Sequence, residues 1–268
     1  MLTEYRNHLL SIRKAPGTIR LRMLHIRKLE TVHPQLEAVT QKDLEAYLAM
    51  LTENGLASES LKSYRSSFRS FYEWASDAGE IDTDPSVKLK PVIVRVRMPR
   101  VAPDDAIIQA ASHAPLRERA MIFLARLACL RLSELTTLPK TARTGSDLLI
   151  LGKGEKERIV SANDQLLDTL IELERETRGE THYFPGGARA RLPHMHPMSV
   201  NKIIKRVTGW NPHSLRHAGA TAAYRATRDL RAVQEFLGHE SLQTTQRYLH
   251  LDDEARRAVA AATTLRRA

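Results

Sequence analysis

Residues 147–160 read Asp-Leu-Leu-Ile-Leu-Gly-Lys-Gly-Glu-Lys-Glu-Arg-Ile-Val. Two short apolar runs, Asp147–Leu151 and Glu157–Val160, flank a glycine-rich turn around Lys153. The spacing predicts a β-hairpin. On both sides of it apolar residues recur at helical spacing, so the fold class is mainly α with one small β-hairpin or sheet. Downstream, helices are expected over Ala162–Glu176, Met198–Val207, Ser214–Ala226, Leu230–Leu237 and Leu242–Leu249, with a short one at Asp253–Ala262. Upstream, Asp104–His113, Leu116–Leu130 and Leu132–Leu138 read the same way.

Further toward the N-terminus the pattern breaks. Asp82–Pro103 holds Pro85, Pro91, Pro99 and Pro103. Proline fixes φ and removes a donor, so an extended linker is expected. The predicted organisation is a helical domain over 1–85, a basic Pro-rich linker over 86–103 and a larger domain over 104–268 that ends in a tail, 253–268. The first domain should contain helices at Thr18–Val32, at Gln41–Thr52 with Thr40 as N-cap, and from about Ala57 to Ala78. The last has an apolar side of Leu61, Tyr64, Phe68, Phe71, Tyr72 and Trp74. Lys62, Arg65 and Arg69 share another face.

The chain has 268 residues, 42% hydrophobic and 27% charged, as expected of a globular protein. Its longest apolar run, near Met121–Leu130, is interrupted by Arg126 and is too short to span a bilayer. The N-terminal residues lack the pattern of a secretory signal. Cys129 is the single cysteine, so no intrachain disulfide forms. A cytoplasmic protein with no membrane partner is expected. The net charge is +10. Residues 1–90 carry a net +1 and residues 91–268 a net +9. Such a field attracts polyanions, which makes nucleic acid a candidate partner.

Four short motifs could carry chemistry. In Cys129-Leu-Arg131-Leu-Ser-Glu134-Leu, an arginine between apolar neighbours requires an anion, and Glu134 is one candidate. In Gly152-Lys153-Gly154, two glycines present one ammonium at a hairpin tip. The spacing is wrong for a nucleotide-binding loop. In Pro212-His213-Ser-Leu-Arg216-His217, one helical turn shows His213, Arg216 and His217 on one side. Two histidines four apart can hold zinc, but the metalloprotease glutamate is missing, so no metal site is expected. The fourth motif is Leu237-Gly-His239, followed by Thr244-Thr-Gln-Arg-Tyr248.

In their order and flanking words, these four motifs resemble the tyrosine recombinase, or phage integrase, family, and the resemblance spans nearly the whole chain. Two departures stand out. Cys129 replaces a glycine usual in the family two residues before the first arginine, which should alter packing rather than chemistry. Ala218-Gly219 replaces the usual Thr-Phe, and glycine should loosen that helix.

The resemblance implies a two-domain C-shaped DNA clamp, made of a helical core-binding domain and a recombinase catalytic domain. It implies a site-specific recombinase that cuts and rejoins DNA through a 3′-phosphotyrosyl intermediate, with no cofactor, metal or ATP. Tyr248 would be the nucleophile. Arg131 and Arg216 would hold the phosphate oxygens, His213 and His239 would add hydrogen bonds, and one of these two would accept the tyrosine proton. Lys153 would protonate the leaving 5′ oxygen, and Glu134 would orient Arg131 or His213. DNA contacts are expected from Arg20, Arg27, Lys62, Arg65, Arg69, Arg95, Arg97 and Arg100. The implied partners are double-stranded attachment sites, three further copies of the chain (a monomer when free) on two duplexes, and a directionality factor. The tail 253–268 is expected either to dock on a neighbouring copy or to pack on its own domain.

Two roles compete. A phage or mobile-element integrase, compact and without an arm-binding domain, is favoured narrowly over a Xer-type resolver of chromosome or plasmid dimers. The readings from other classes are a non-catalytic DNA-binding protein, a relaxing topoisomerase of the same chemistry and a metal-dependent nuclease.

Overall fold

The computed structural model describes residues 1–94, 100–152, 156–187 and 190–238. The chain divides into two compact units, Met1–Arg97 and Met98–Ala268. Among the described residues no helix is long and apolar enough to cross a membrane.

The first unit holds α1 (Leu2–Ser11), α2 (Pro16–Glu30), α3 (Gln41–Glu53) and α4 (Ser58–Asp77). Thr40 caps α3 reciprocally with Asp43: its hydroxyl accepts from the Asp43 N–H, and the Asp43 carboxylate accepts from the Thr40 N–H at 2.8 Å. The aromatic side of α4 is the core. Phe68, Phe71 and Tyr72 are fully buried against Tyr5, Leu9, Ile26, Leu29 and Leu44. Each such side chain contributes roughly 1.5–3 kcal/mol. One polar pair is buried with them. The His25 ring lies 3.8 Å from that of Tyr64, and its Nδ1 is 2.8 Å from the Ser67 hydroxyl. The proline-containing segment after α4 folds back, and Leu89 is buried in this same core.

The second unit is built round α6 (Leu116–Arg126), with Ala120–Ala125 all buried. This is the apolar run of the sequence. It packs against α5 (Asp104–His113), α8 (Asp164–Glu176), α9 (Pro197–Thr208) and α10 (Pro212–Thr227). The helix stops at Arg126 rather than at Leu130, as the sequence suggested. Cys129 has φ 51°, a left-handed backbone that cannot continue a right-handed helix. The chain turns there and re-enters a short helix, α7 (Leu132–Thr136), with Arg131 at its N-cap.

The hairpin is part of a three-stranded antiparallel sheet of order β1 (Arg143–Thr144), β2 (Asp147–Leu151) and β3 (Glu157–Ser161). Leu149 pairs with Ile159, and Leu148 with Val160. Leu148, Ile150 and Val160 face the core, while Leu149, Leu151 and Ile159 face outward. Helix α11 (Leu230–Leu237) follows α10, capped by the Asp229 carboxylate. The expected helices at Leu242–Leu249 and Asp253–Ala262, and the tail, lie outside the described residues.

Candidate active site

The α6–α7 turn aims Arg131 at Glu134, one helical turn away. The Glu134 carboxylate accepts from the Arg131 backbone N–H at 2.9 Å and from its guanidinium at 2.6 Å. Glu134 is almost completely buried, whereas the Arg131 side chain keeps 34% of its exposure. The arginine is therefore anchored at one edge and open at another.

Arg216 reaches the same place from α10. Its side chain is 2% exposed and lies 3.8 Å from the Glu134 carboxylate. It donates to the Cys129 carbonyl and, at 2.7 Å, to the Leu237 carbonyl. Burial, with Arg131 nearby, pushes its pKa down to about 10, so it remains a cation at neutral pH.

A third arginine joins them that the motifs did not single out. Arg158, on β3, grips Glu134 with both terminal nitrogens, at 3.0 and 2.8 Å, and donates to the Phe236 carbonyl at 3.1 Å. Strand alternation carried the signal. Arg158 shares its face with buried Val160, and a charge on the inner face needs a buried partner.

The three arginines together take the last carbonyls of α11. Arg158 holds Phe236, Arg216 holds Leu237, and Arg131 holds Gly238 at 2.7 Å. These are the groups a helix C-terminus leaves unsatisfied. Gly238 closes the helix with φ 62°, and the next residue is His239.

The electrostatics follow. Burial alone would raise the Glu134 pKa, but the bonds from Arg158 and Arg131 outweigh it and hold it down at about 2. Among these four side chains three cations face one anion. The α11 C-terminus offsets only about half a charge. The remaining surplus is positive and lies beside the open edge of Arg131, where an anionic group would be held by planar, charge-assisted donors.

On the first turns of α10, His213 is exposed and His217 is buried. Their Nε2 atoms are 2.9 Å apart. One must donate and the other accept, so in this arrangement the two rings cannot both be charged. The helix also contains Gly219, yet it runs unbroken from Pro212 to Thr227. The expected loosening does not occur. A methyl group at Gly219 would collide with the Arg126 carbonyl oxygen and the Cys129 sulfur, so glycine is what lets α10 lie against the α6–α7 turn.

The structure thus brings Arg131, Glu134 and Arg216 together, with His213 one turn before Arg216 on α10. Lys153, His239 and Tyr248 lie outside the described residues, as do Arg95 and Arg97. In the first unit Arg20, Arg27 and Lys62 are exposed, as is Arg100 in the second. Arg65 and Arg69 are half-buried and reach backbone carbonyls of the segment after α4. Arg65 donates to the Leu89 carbonyl through Nε at 3.1 Å and through a terminal nitrogen, and Arg69 reaches the Val87 carbonyl at 3.4 Å.

Comparison with known proteins shows the family. Residues 104–255 match the phage integrase family, and residues 2–79 match the phage integrase N-terminal SAM-like domain. The chain is 34% identical over 235 residues to tyrosine recombinase XerC of Xanthomonas campestris pv. campestris, covering 81% of this chain and 72% of that one. It is 30% identical over 277 residues to a tyrosine recombinase of Thermosipho africanus, covering 95% of each. Its fold is similar to that of a lambda integrase (75–356) dimer bound to a COC′ core site, with a TM-score of 0.75, 22% identity and 95% coverage of both chains. It is also similar to XerH recombinase bound to a palindromic difH substrate, with a TM-score of 0.70, 21% identity, and coverage of 91% of this chain and 79% of that one. The chain belongs to the phage integrase family, the tyrosine recombinases.

Proposed function

We propose that this tyrosine recombinase cuts and rejoins double-stranded DNA at specific sites, and that the surplus positive charge around Glu134 is its scissile-phosphate pocket. That charge cluster is the observation that most supports the reading. Arg131 holds one non-bridging oxygen at its open edge, and Arg216, buried behind it, exchanges the Leu237 carbonyl for the other; their charge counts most as negative charge grows in the transition state. One positioned donor there is worth roughly 3–4 kcal/mol. Tyr248 attacks phosphorus, and its phenolic proton passes to His213 or His239. The P–O5′ bond breaks and the 5′ oxygen takes a proton from Lys153. The phosphotyrosyl link keeps the bond energy for rejoining, so neither ATP nor a metal is called on.

Arg20, Arg27, Lys62 and Arg100, with Arg95 and Arg97, contact DNA phosphates. Four copies join two duplexes, as in the lambda integrase tetramer bound to a Holliday junction. A directionality factor belongs to the same reading.

The role proposed first is integration of a phage or mobile element. The second, Xer-type resolution of DNA dimers, is favoured by the XerC relatives. Selection from a randomised duplex library gives the core site, and plasmids carrying two copies are then incubated with the protein in EDTA. Recombinant circles are expected. Relaxation of any plasmid without exchange would contradict site-specific recombination. A core found at an element's attachment site supports integration, and a core at a chromosomal dimer-resolution site supports the second role.

A further inference from the structure

We propose that Arg158 is a positioning residue of the cleavage site, tying the β2–β3 hairpin and the C-terminal end of α11 to Glu134 and so to the phosphate-binding arginines; this rests on the recombinase reading above.

Three observations carry it. First, Arg158 bridges separate parts of the chain. From β3 it binds Glu134 on α7 through two nitrogens and the Phe236 carbonyl of α11 through the third. Glu134 in turn holds Arg131 at 2.6 Å. Second, the residue before His239 is packed on the Arg158 side chain. A Cβ at Gly238 would lie 3.0 Å from Arg158 Cδ and 3.1 Å from one terminal nitrogen. Third, the residue before Lys153 lies in the same place. A Cβ at Gly152 would be 3.7 Å from an Arg158 terminal nitrogen and 3.8 Å from the Glu134 carboxylate. Arg158 is therefore packed tightly on Gly238 and lies within ordinary contact range of a side chain at Gly152.

Its side chain is 10% exposed and each of its three nitrogens bonds a protein acceptor, two of them the Glu134 carboxylate itself, a charge-assisted pair that a phosphate would have to displace, so it acts through its neighbours. Arginine suits the task because its planar fork meets a carboxylate with two parallel bonds and leaves Nε for a third acceptor. A lysine can pair with Glu134 but cannot span Glu134 and Phe236 together.

The consequence is specific to one step. Proton transfer to the leaving oxygen depends on where Lys153 stands, and errors of an ångström are costly. A sulfur in place of the bridging 5′ oxygen leaves as a thiolate, with a thiol pKa near ~8.5, and needs little help from an acid. A hairpin that is misplaced should harm the oxygen substrate and spare the sulfur one.

The test compares wild-type protein with Arg158→Lys and Gly152→Ala on nicked suicide duplexes carrying the core site, with oxygen or sulfur at the bridging position. Covalent adduct is followed at saturating protein, and thermal melting is recorded in parallel. Gly152→Ala leaves the Arg158–Glu134 pair in place and presses on the Lys156 carbonyl oxygen, 3.2 Å from the new methyl, so it displaces the hairpin directly and gives the signature that Arg158→Lys should reproduce; should Arg158→Lys fold poorly, Arg158→Gln is measured in its place. Both variants should cleave the oxygen substrate roughly 10²-fold more slowly than wild type and the sulfur substrate within about fivefold of it. Equal losses on both substrates would mark Arg158 as a general structural support and overturn the proposal, as would no loss on either. Absence of adduct with wild-type protein on both substrates would defeat the recombinase reading itself, and this proposal with it.

Discussion

The sulfur of Cys129 fills the space that Gly219 leaves open on α10. Both residues depart from the family's usual wording, and they are packed against each other. Cys129 holds a left-handed backbone of φ 51°, a conformation ordinarily given to glycine. The two departures are halves of one packing solution, a side chain added on the turn and one removed from the helix. The arrangement matters because the same turn delivers Arg131 and offers the Cys129 carbonyl to Arg216.

Gly219→Ala should therefore be severe for so small a change. The new methyl meets backbone at Arg126 as well as the Cys129 sulfur. A cost of about 1–3 kcal/mol is expected, which is roughly 2–4 °C of melting temperature per kcal/mol for a unit of this size. Adding Cys129→Gly should recover part of the loss, because the Arg126 clash remains. Thermal unfolding of the two variants checks this, and a single variant that melts with wild type would contradict the packing argument.

Burial pushes the Cys129 thiol up to about 11. It should stay unalkylated by iodoacetamide in native protein at pH 7.5 and react once the chain is unfolded. Mass spectrometry reads both states, and rapid native labelling would show that the turn opens.

Glu134→Gln removes the one anion among three arginines. Breaking such a buried pair typically costs about 3–5 kcal/mol, and DNA cleavage should fall with the fold. The pH dependence has a definite sign. The folded pKa of Glu134, about 2, lies below the usual carboxylate value, so its stabilisation is fully present above pH 4.5 and is lost as pH falls through about 2. His25 behaves differently. Burial lowers its pKa to about 4 from 6.5, so the unfolded chain binds the proton more readily. Its contribution is complete above pH 6.5 and is lost as pH falls toward about 4. The first unit should weaken in mild acid that leaves Glu134 ionised. The two tryptophans separate the units: Trp74 reports on the first and Trp210 on the second. Urea midpoints by fluorescence in single-tryptophan variants, taken between pH 4 and 7, should fall for Trp74 more than for Trp210. Parallel curves would contradict the assignment.

Basic residues on the first unit should divide into two groups. Lys62→Ala should leave stability unchanged, weaken DNA binding, and lower the slope of log K against log salt by about 1. Arg65→Ala should instead release the Leu89 carbonyl and the segment folded under it, at a cost of roughly 1 kcal/mol. Salt titrations and melting curves on both variants tell these effects apart, and identical behaviour of the two would contradict the division.

Much of the second unit was legible because local chemistry and fold agree there. Asp229 and Gly238 bracket α11 where the sequence placed it, and the two strands of the expected hairpin pair, Leu149 with Ile159. What escaped is non-local. Spacing puts Lys62, Arg65 and Arg69 on one face, but whether that face meets solvent or the segment at 86–89 depends on a fold-back that no helical period records. The end of α6 depends on a backbone angle at Cys129, a residue type that rarely adopts it. Helix α1 has only Tyr5 and Leu9 buried and leaves a weak periodic trace. Arg158 was visible as a charge on the inner face of β3, but its meaning needed the positions of Glu134 and Phe236.

The central claim is that the pocket round Arg131, Glu134 and Arg216 serves a covalent step by Tyr248. Incubation with a nicked suicide duplex carrying the core site, followed by denaturing electrophoresis and peptide mapping of the adduct, tests it most directly. The account predicts a DNA–protein adduct on Tyr248 that forms in EDTA, is absent in Tyr248→Phe and is strongly reduced in Arg216→Lys. An adduct that persists in Tyr248→Phe, or maps to another residue, would contradict it.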